Sequence, residues 1–296
     1  MDGSRLAIVL IFLLFTPLLV VQEVRAEKIL HNLNLAFPVL LSSGEGGTGS
    51  GFFIRNDKGV YLVTAKHVIY KDKVSDDGST HLRYNKITLT YYSDAENYTE
   101  KQVMSLDLNE LDASSNILSD SINDISAIKL YYKKNVFDNN LYFNPGIKIV
   151  DDGFAAKSQS AAATFKGGYR SFKDDMISNE VYIFGYPTSI GFRAAKQIEQ
   201  DKPLIRRGVV AGKNNITNRI IIDCPIFPGN SGGPVLMIED RPGVKKFLLI
   251  GMVDQFVPLI ETFVNDVYDY KNHSVSNSGY TVVVPMDFII DLIAKF

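Results

Sequence analysis

Ser231 stands among three glycines and two prolines, in Phe227-Pro228-Gly229-Asn230-Ser231-Gly232-Gly233-Pro234-Val235. The loop joins two apolar runs, Arg219 to Cys224 and Val235 to Ile238. Such a composition packs poorly, but glycines admit backbone angles closed to other residues and let a second molecule approach the main chain. A serine hydroxyl is a weak nucleophile until a base takes its proton, and the oxyanion formed on attack needs donors already aimed at it. The backbone N–H groups of Gly229 and Ser231 are candidate donors. A plain Gly/Pro turn between two strands is the alternative reading of the same residues.

A base and an orienting carboxylate must come from elsewhere. The chain has four histidines, His31, His67, His81 and His273. Only His67, in Thr64-Ala65-Lys66-His67-Val68, sits just past a strand-like run, Val60 to Thr64, where a rigid scaffold can fix its ring. Histidine is the natural general base near neutral pH. Asp124 opens the alternating stretch Ile125-Ser126-Ala127-Ile128-Lys129-Leu130. An aspartate there could orient a histidine and stabilise its charged form. Taken singly, His67 also reads as a structural histidine and Asp124 as a solvated turn acid.

Many short strands must position these groups. Pro38 to Leu41, Ser50 to Arg55, Val60 to Thr64 and Ile87 to Tyr92 are strand candidates, and Asn56-Asp57-Lys58-Gly59 makes a hairpin of the second and third. Leu106 to Ile117 reads as loop. Gly44 to Gly49 matches GxGxxG, but the dinucleotide fingerprint opens a helix and a strand follows here.

His67, Asp124 and Ser231, in that order and each beside a fitting strand, resemble the chymotrypsin-fold (trypsin-like) serine peptidases. The resemblance runs from about Phe37 to the C-terminus. It implies an all-β fold of two six-stranded antiparallel barrels with a short C-terminal helix. One barrel, in residues 27–160, carries His67 and Asp124; the other, in 161–296, carries Ser231. The Ala/Ser/Gly-rich stretch Gly153 to Lys173 is the expected interbarrel loop. Val181 to Pro187, Arg207 to Gly212 and Ser278 to Pro285 are expected strands of the second barrel, followed by a helix over 287–296.

Within the family the chain is similar to the disulfide-free bacterial exported branch that includes HtrA-type proteases, without their PDZ domain. Asn230 stands where the digestive enzymes carry the aspartate that pairs with a new N-terminus, which implies activity without that switch. The implied roles are His67 as base, Asp124 as its orienter, Ser231 as nucleophile and the Gly229 and Ser231 amides as oxyanion hole. Protein or peptide substrates follow, and no cofactor or metal is needed. Pro225 falls at the base of the expected S1 pocket, with Ile226 and Phe227 on its approach and Asp254 and Phe256 across it. Pro225 brings no charge to select Lys or Arg, so a small or medium apolar P1 residue is expected. Asp254 falls where the family often has a serine near the catalytic aspartate, and a second acid there can alter the histidine's pKa. The other class of function is a binding protein of the same fold at the cell envelope, with weak or no turnover.

Composition agrees with a globular chain. Of 296 residues, 46% are hydrophobic and 22% charged, with a formal net charge of −2, which gives no basis for nucleic-acid binding. The single cysteine, Cys224, excludes an intramolecular disulfide and any CxxC metal site, and reads as a buried thiol. Residues 1–26 read as a secretory signal: Arg5 precedes an apolar run from Leu6 to Val21, and Val24 and Ala26 are the small residues at the expected cleavage point. If the segment stays uncleaved, it becomes an anchor and the one source of membrane contact. The chain is thus expected to be secreted or periplasmic. Sequons begin at Asn97, Asn215 and Asn272.

Overall fold

The computed structural model describes residues 38–71, 81–92, 101–134, 142–150, 168–174, 176–188, 196–241, 244–265 and 267–296. The expected signal segment, the sequon at Asn97 and most of the expected interbarrel loop, including the boundary at 160/161, lie outside them. Among the described residues, no helix is long and apolar enough to cross a membrane.

β-branched and aromatic runs bounded by turn residues form the strands. A first sheet contains β1 (Pro38–Ser42), β2 (Thr48–Asn56), β3 (Gly59–Ala65), β4 (Lys86–Tyr92), β5 (Lys101–Asp107), β6 (Ile117–Asp120), β7 (Ile125–Tyr132), β8 (Tyr142–Phe143) and β9 (Ile147–Ile149). A second contains β10 (Glu180–Gly185), β11 (Leu204–Asn214), β12 (Arg219–Asp223), β13 (Pro234–Arg241), β14 (Val244–Asn265) and β15 (Tyr270–Pro285). Among the described residues there are three helices: α1 (Lys66–Ile69), α2 (Leu108–Ala113) and α3 (Met286–Ala294). The fold is all-β and antiparallel, with the expected C-terminal helix.

The second sheet closes into a six-stranded barrel in the order β10-β11-β12-β15-β14-β13. The first holds the six longer strands expected together with three short ones. Among the described residues it is a sheet of nine strands, ordered β6-β7-β3-β2-β1-β4-β5-β9, with β8 paired to β7. Six of its strands have five or more residues, and β6, β8 and β9 are short additions of four, two and three. Side-chain turns set where these pieces stop. β6 ends where the Asp120 carboxylate accepts from the amides of Ile122 and Asn123, at 2.9 and 3.1 Å. The β2–β3 hairpin closes as expected, with Asn56 Oδ1 accepting from the amides of Lys58 and Gly59.

Leu106 to Ile117 is not the loop expected. Asp107 ends β5 and caps α2 by accepting from the Glu110 amide, and Leu108 and Leu111 are buried. The Asp-x-x-Glu spacing is a helix start signal, and the two leucines three apart share one face.

Each sheet encloses its own apolar cluster. Phe53, Leu62, Leu89, Met104 and Ile128 are central to the first, and Val181, Ile183, Ile222, Val235 and Ile250 to the second. α3 presents Met286, Ile289, Leu292 and Ile293 inward. Beyond Phe256 and Thr281, β14 and β15 continue as a two-stranded ribbon, from Pro258 opposite Asn277 to Asn265 opposite Tyr270. Leu259, Ile260, Phe263, Val264 and Val275 on this ribbon are exposed.

Candidate active site

The end of β3 and the start of β7 lie side by side, with Ala65 opposite Ile125. The next residue on one strand and the preceding residue on the other therefore meet. The Lys66 amide donates to the Asp124 carbonyl at 2.9 Å, and the His67 amide donates to Asp124 Oδ1 at 3.0 Å. The His67 ring completes the set, with Nδ1 2.6 Å from Asp124 Oδ2. With the proton on Nδ1, the ring donates to the carboxylate and leaves Nε2 as the basic nitrogen. Asp124 adopts a left-handed backbone, φ 54°, at the end of the Asp120 turn. Aspartate is among the few side-chain-bearing residues that tolerate this region.

Ser231 comes from the loop between β12 and β13. Gly229 and Gly232 in that loop have φ of 95° and 86°. A side chain at Gly229 would strike the Tyr186 carbonyl, and one at Gly232 would strike the Ser50 carbonyl. Both positions require glycine for conformation and for space. Among the described residues, the amides of Gly229 and Ser231 donate to no protein acceptor, whereas the intervening Asn230 amide is bonded to the Phe227 carbonyl. The Ser231 hydroxyl donates to the Asp254 carbonyl at 3.1 Å.

Ser50, fully buried in β2, ties this loop to the first sheet. Its amide donates to the Ser231 carbonyl at 3.0 Å, and its hydroxyl donates to the Gly229 carbonyl at 2.6 Å. The same hydroxyl accepts from the Tyr186 amide at 3.0 Å, and its carbonyl accepts from Thr64 Oγ1 at 2.7 Å. Sequence reasoning passed over Ser50. Its signal was a small polar residue between Gly49 and Gly51 in an otherwise bulky strand.

His67, Gly229 and Ser231 share a cleft of about 240 Å³, whose other walls include Thr48, Val68, Arg83, Tyr84 and Pro228. None of the five residues expected to bind substrate lines it. Pro225 is exposed and Phe227 half-buried, with the Arg206 guanidinium 4.5 Å above its ring. Phe256 is half-buried against the second barrel's core. Ile226 is a correction. It is only 2% exposed and belongs to that core, so it does not line an approach. The inward alternation of β12, Ile220 and Ile222, simply runs on through Cys224 to Ile226, held extended by the Gly279 carbonyl and the Asn277 side chain.

Asp254 faces Asp124 instead of a pocket, and its pKa is pushed up to about 6. Burial is the main cause and the Asp124 charge the next, with Arg219 and His67 pulling the other way. Arg219 Nε is 3.9 Å from Asp254 Oδ2, and both side chains are largely buried.

The model of the trypsin-like peptidase domain matches residues 49–241, well over half of the sequence. The chain belongs to the trypsin-like peptidases. Among solved structures it is similar to the HtrA-type protease AlgW with a tripeptide, at 14% identity and a TM-score of 0.45, covering 90% of this chain and 62% of AlgW. It is also similar to Deg5, at 19% identity and a TM-score of 0.43, covering 88% and 91% of the two chains. The chain thus spans a little over three fifths of AlgW's length. No curated protein matches the sequence.

Proposed function

We propose that this trypsin-like peptidase cleaves peptide bonds through His67, Asp124 and Ser231. The observation that carries the reading is the 2.6 Å contact of His67 Nδ1 with Asp124 Oδ2, beside a cleft that Ser231 shares. Ser231 Oγ attacks the substrate carbonyl carbon as His67 Nε2 takes its proton, and the carbonyl π electrons move to oxygen. The amides of Gly229 and Ser231 donate to that oxyanion. Asp124 keeps the proton on Nδ1 and stabilises the imidazolium. As the C–N bond breaks, His67 gives its proton to the leaving amine; water, deprotonated by His67, then releases the acyl group.

The substrate is a protein or peptide, the class of molecule that the AlgW structure holds as a tripeptide. A small or medium apolar P1 residue is favoured, because Pro225 supplies no charge and Phe227 and Phe256 are its aromatic neighbours in the sequence reading. We read residues 27–160 and 161–296 as the two halves of the catalytic unit and residues 1–26 as a cleaved export signal, which puts the enzyme in the periplasm or outside the cell. The mass of the mature N-terminus checks the last point.

One observation favours a second reading, a binding protein with weak turnover. The Ser231 hydroxyl spends its proton on the Asp254 carbonyl, so the resting serine must turn to reach His67. A fluorophosphonate probe separates the two. Labelling of the mature protein that disappears in Ser231→Ala is expected; a folded protein that resists labelling supports the binding reading.

A further inference from the structure

Among the described residues, Asp254 is a largely buried acid near the reacting groups that this mechanism does not use. It owes its position to a β-bulge: the β14–β15 register steps from Val253 opposite Val283 to Gln255 opposite Val282, leaving Asp254 unpaired. A bulge bends a strand and re-aims a side chain. Here the bulge serves both ends of the residue. The Asp254 carbonyl holds the Ser231 hydroxyl, and its carboxyl group faces Asp124 and lies 3.9 Å from Arg219 Nε, which is itself bonded to Asn123 in the turn before Asp124.

Resting on the peptidase reading above, we propose that Asp254 is a proton-carrying positioning residue for the His67–Asp124 pair. Protonated, it donates its O–H to the Asp124 carboxylate. That carboxylate already accepts from the His67 amide on one oxygen and faces the His67 ring on the other, so the third bond fixes it as an acceptor. Ionised, Asp254 no longer donates to Asp124 and adds a second negative charge behind the ring.

Three charged groups face Asp254. Asp124 comes from the turn before β7, His67 from α1, and Arg219 from β12. Arg219 also bonds to Asn123 Oδ1 at 3.0 Å and to the Ile122 carbonyl at 3.3 Å, so its place is fixed by the turn that presents Asp124. With Asp254 protonated, one carboxylate faces one guanidinium. With Asp254 ionised, two carboxylates face it, and an imidazolium beside them is better stabilised. Coupling is reciprocal, so His67 and Asp254 titrate as a linked pair, with the second proton taken up at lower pH than either group alone would take it.

The test reads His67 directly. Imidazole NMR titrations are recorded on Ser231→Ala, with and without Asp254→Asn, alongside pH profiles of kcat/KM for the enzymes with Ser231 intact. Asp254→Asn keeps an N–H donor for Asp124 and removes the charge. It should lower the midpoint of the His67 titration by about 0.5–1 pH unit, and move the acid limb of kcat/KM with it. Asp254→Ala removes donor and charge together, and should lower kcat by about tenfold or more with little change in KM, a larger loss than in Asp254→Asn. A His67 midpoint that stays put in Asp254→Asn overturns the proposal. A midpoint that moves while wild-type protein shows no matching limb and no probe labelling keeps the Asp254 coupling, and overturns the peptidase reading instead.

Discussion

His67 and Asp124 reach each other across one pair of neighbouring strands, whereas Ser231 comes to the cleft it shares with His67 from the other sheet. The first pair is built locally. β3 and β7 bring the residues abreast, and two backbone amides and one ring nitrogen of adjacent residues close on Asp124. The nucleophile is placed from a distance, through Ser50 and the glycines that let its loop press against β2. The base pair should therefore tolerate loosening between the sheets, and the alignment of nucleophile with base should not.

Breaking the local half gives the largest effect expected here. Asp124→Asn leaves a group of the same shape but favours the wrong His67 tautomer, and kcat should fall by about 10⁴-fold while the fold persists. Steady-state kinetics on a peptide substrate, with circular dichroism as the control, measures it. The joint between the sheets comes next. Ser50→Ala leaves the Gly229 carbonyl and the Tyr186 amide without their partner. A loss of about 1–3 kcal/mol of stability and a 10–100-fold slower labelling of Ser231 are expected, with the His67 titration unchanged. A Ser50→Ala protein in which the His67 resonances shift as much as labelling slows would erase the distinction between a local and a long-range half.

The remaining effect concerns pH and leaves the rate of labelling aside. Asp254 has its folded-state pKa raised from 3.8 to about 6, so the folded protein holds this proton more firmly than the unfolded chain does. The stability that this proton contributes is fully present below about pH 4 and is lost as the pH rises through about 6. The span corresponds to roughly 2–3 kcal/mol. Urea unfolding at pH 4.5 and 7.5 should show Asp254→Asn gaining relative to wild type at the higher pH. An equal difference at both pH values would mean that Asp254 does not carry the proton.

What could be read from the chain follows the same division. The adjacency of His67 and Asp124 could be read because each stands beside a run whose period announces a strand, β3 and β7, and Ser231 stood out by the glycines and prolines around it. The closed barrel was expected from the family resemblance these residues carry, not from the strand periods. Ser50 was not, since its importance lies in partners far off in sequence. Asp254 could be flagged as an odd acid but not placed, because a bulge leaves no mark on the hydrophobic period. Ile226 was placed on the wrong side although the alternation Ile220, Ile222, Cys224 was there to follow. The short strands β6, β8 and β9 were missed because two to four residues carry no period. α2 was missed through an overlooked cap at Asp107.

The ribbon beyond Phe256 and Thr281 has a separate consequence. Within the barrel β14 and β15 have neighbouring strands on both sides, but in the ribbon, among the described residues, each strand pairs with the other alone. A lone two-stranded hairpin is marginally stable in water. From Pro258 to Asn277 the chain should therefore open and close as its own unit, exchanging its amide hydrogens long before the barrel does. Phe263, Val264 and Tyr270 would then meet solvent as loose chain many times during the life of one folded barrel. On the peptidase reading proposed above, this ribbon is exposed chain that another copy's Ser231 can meet.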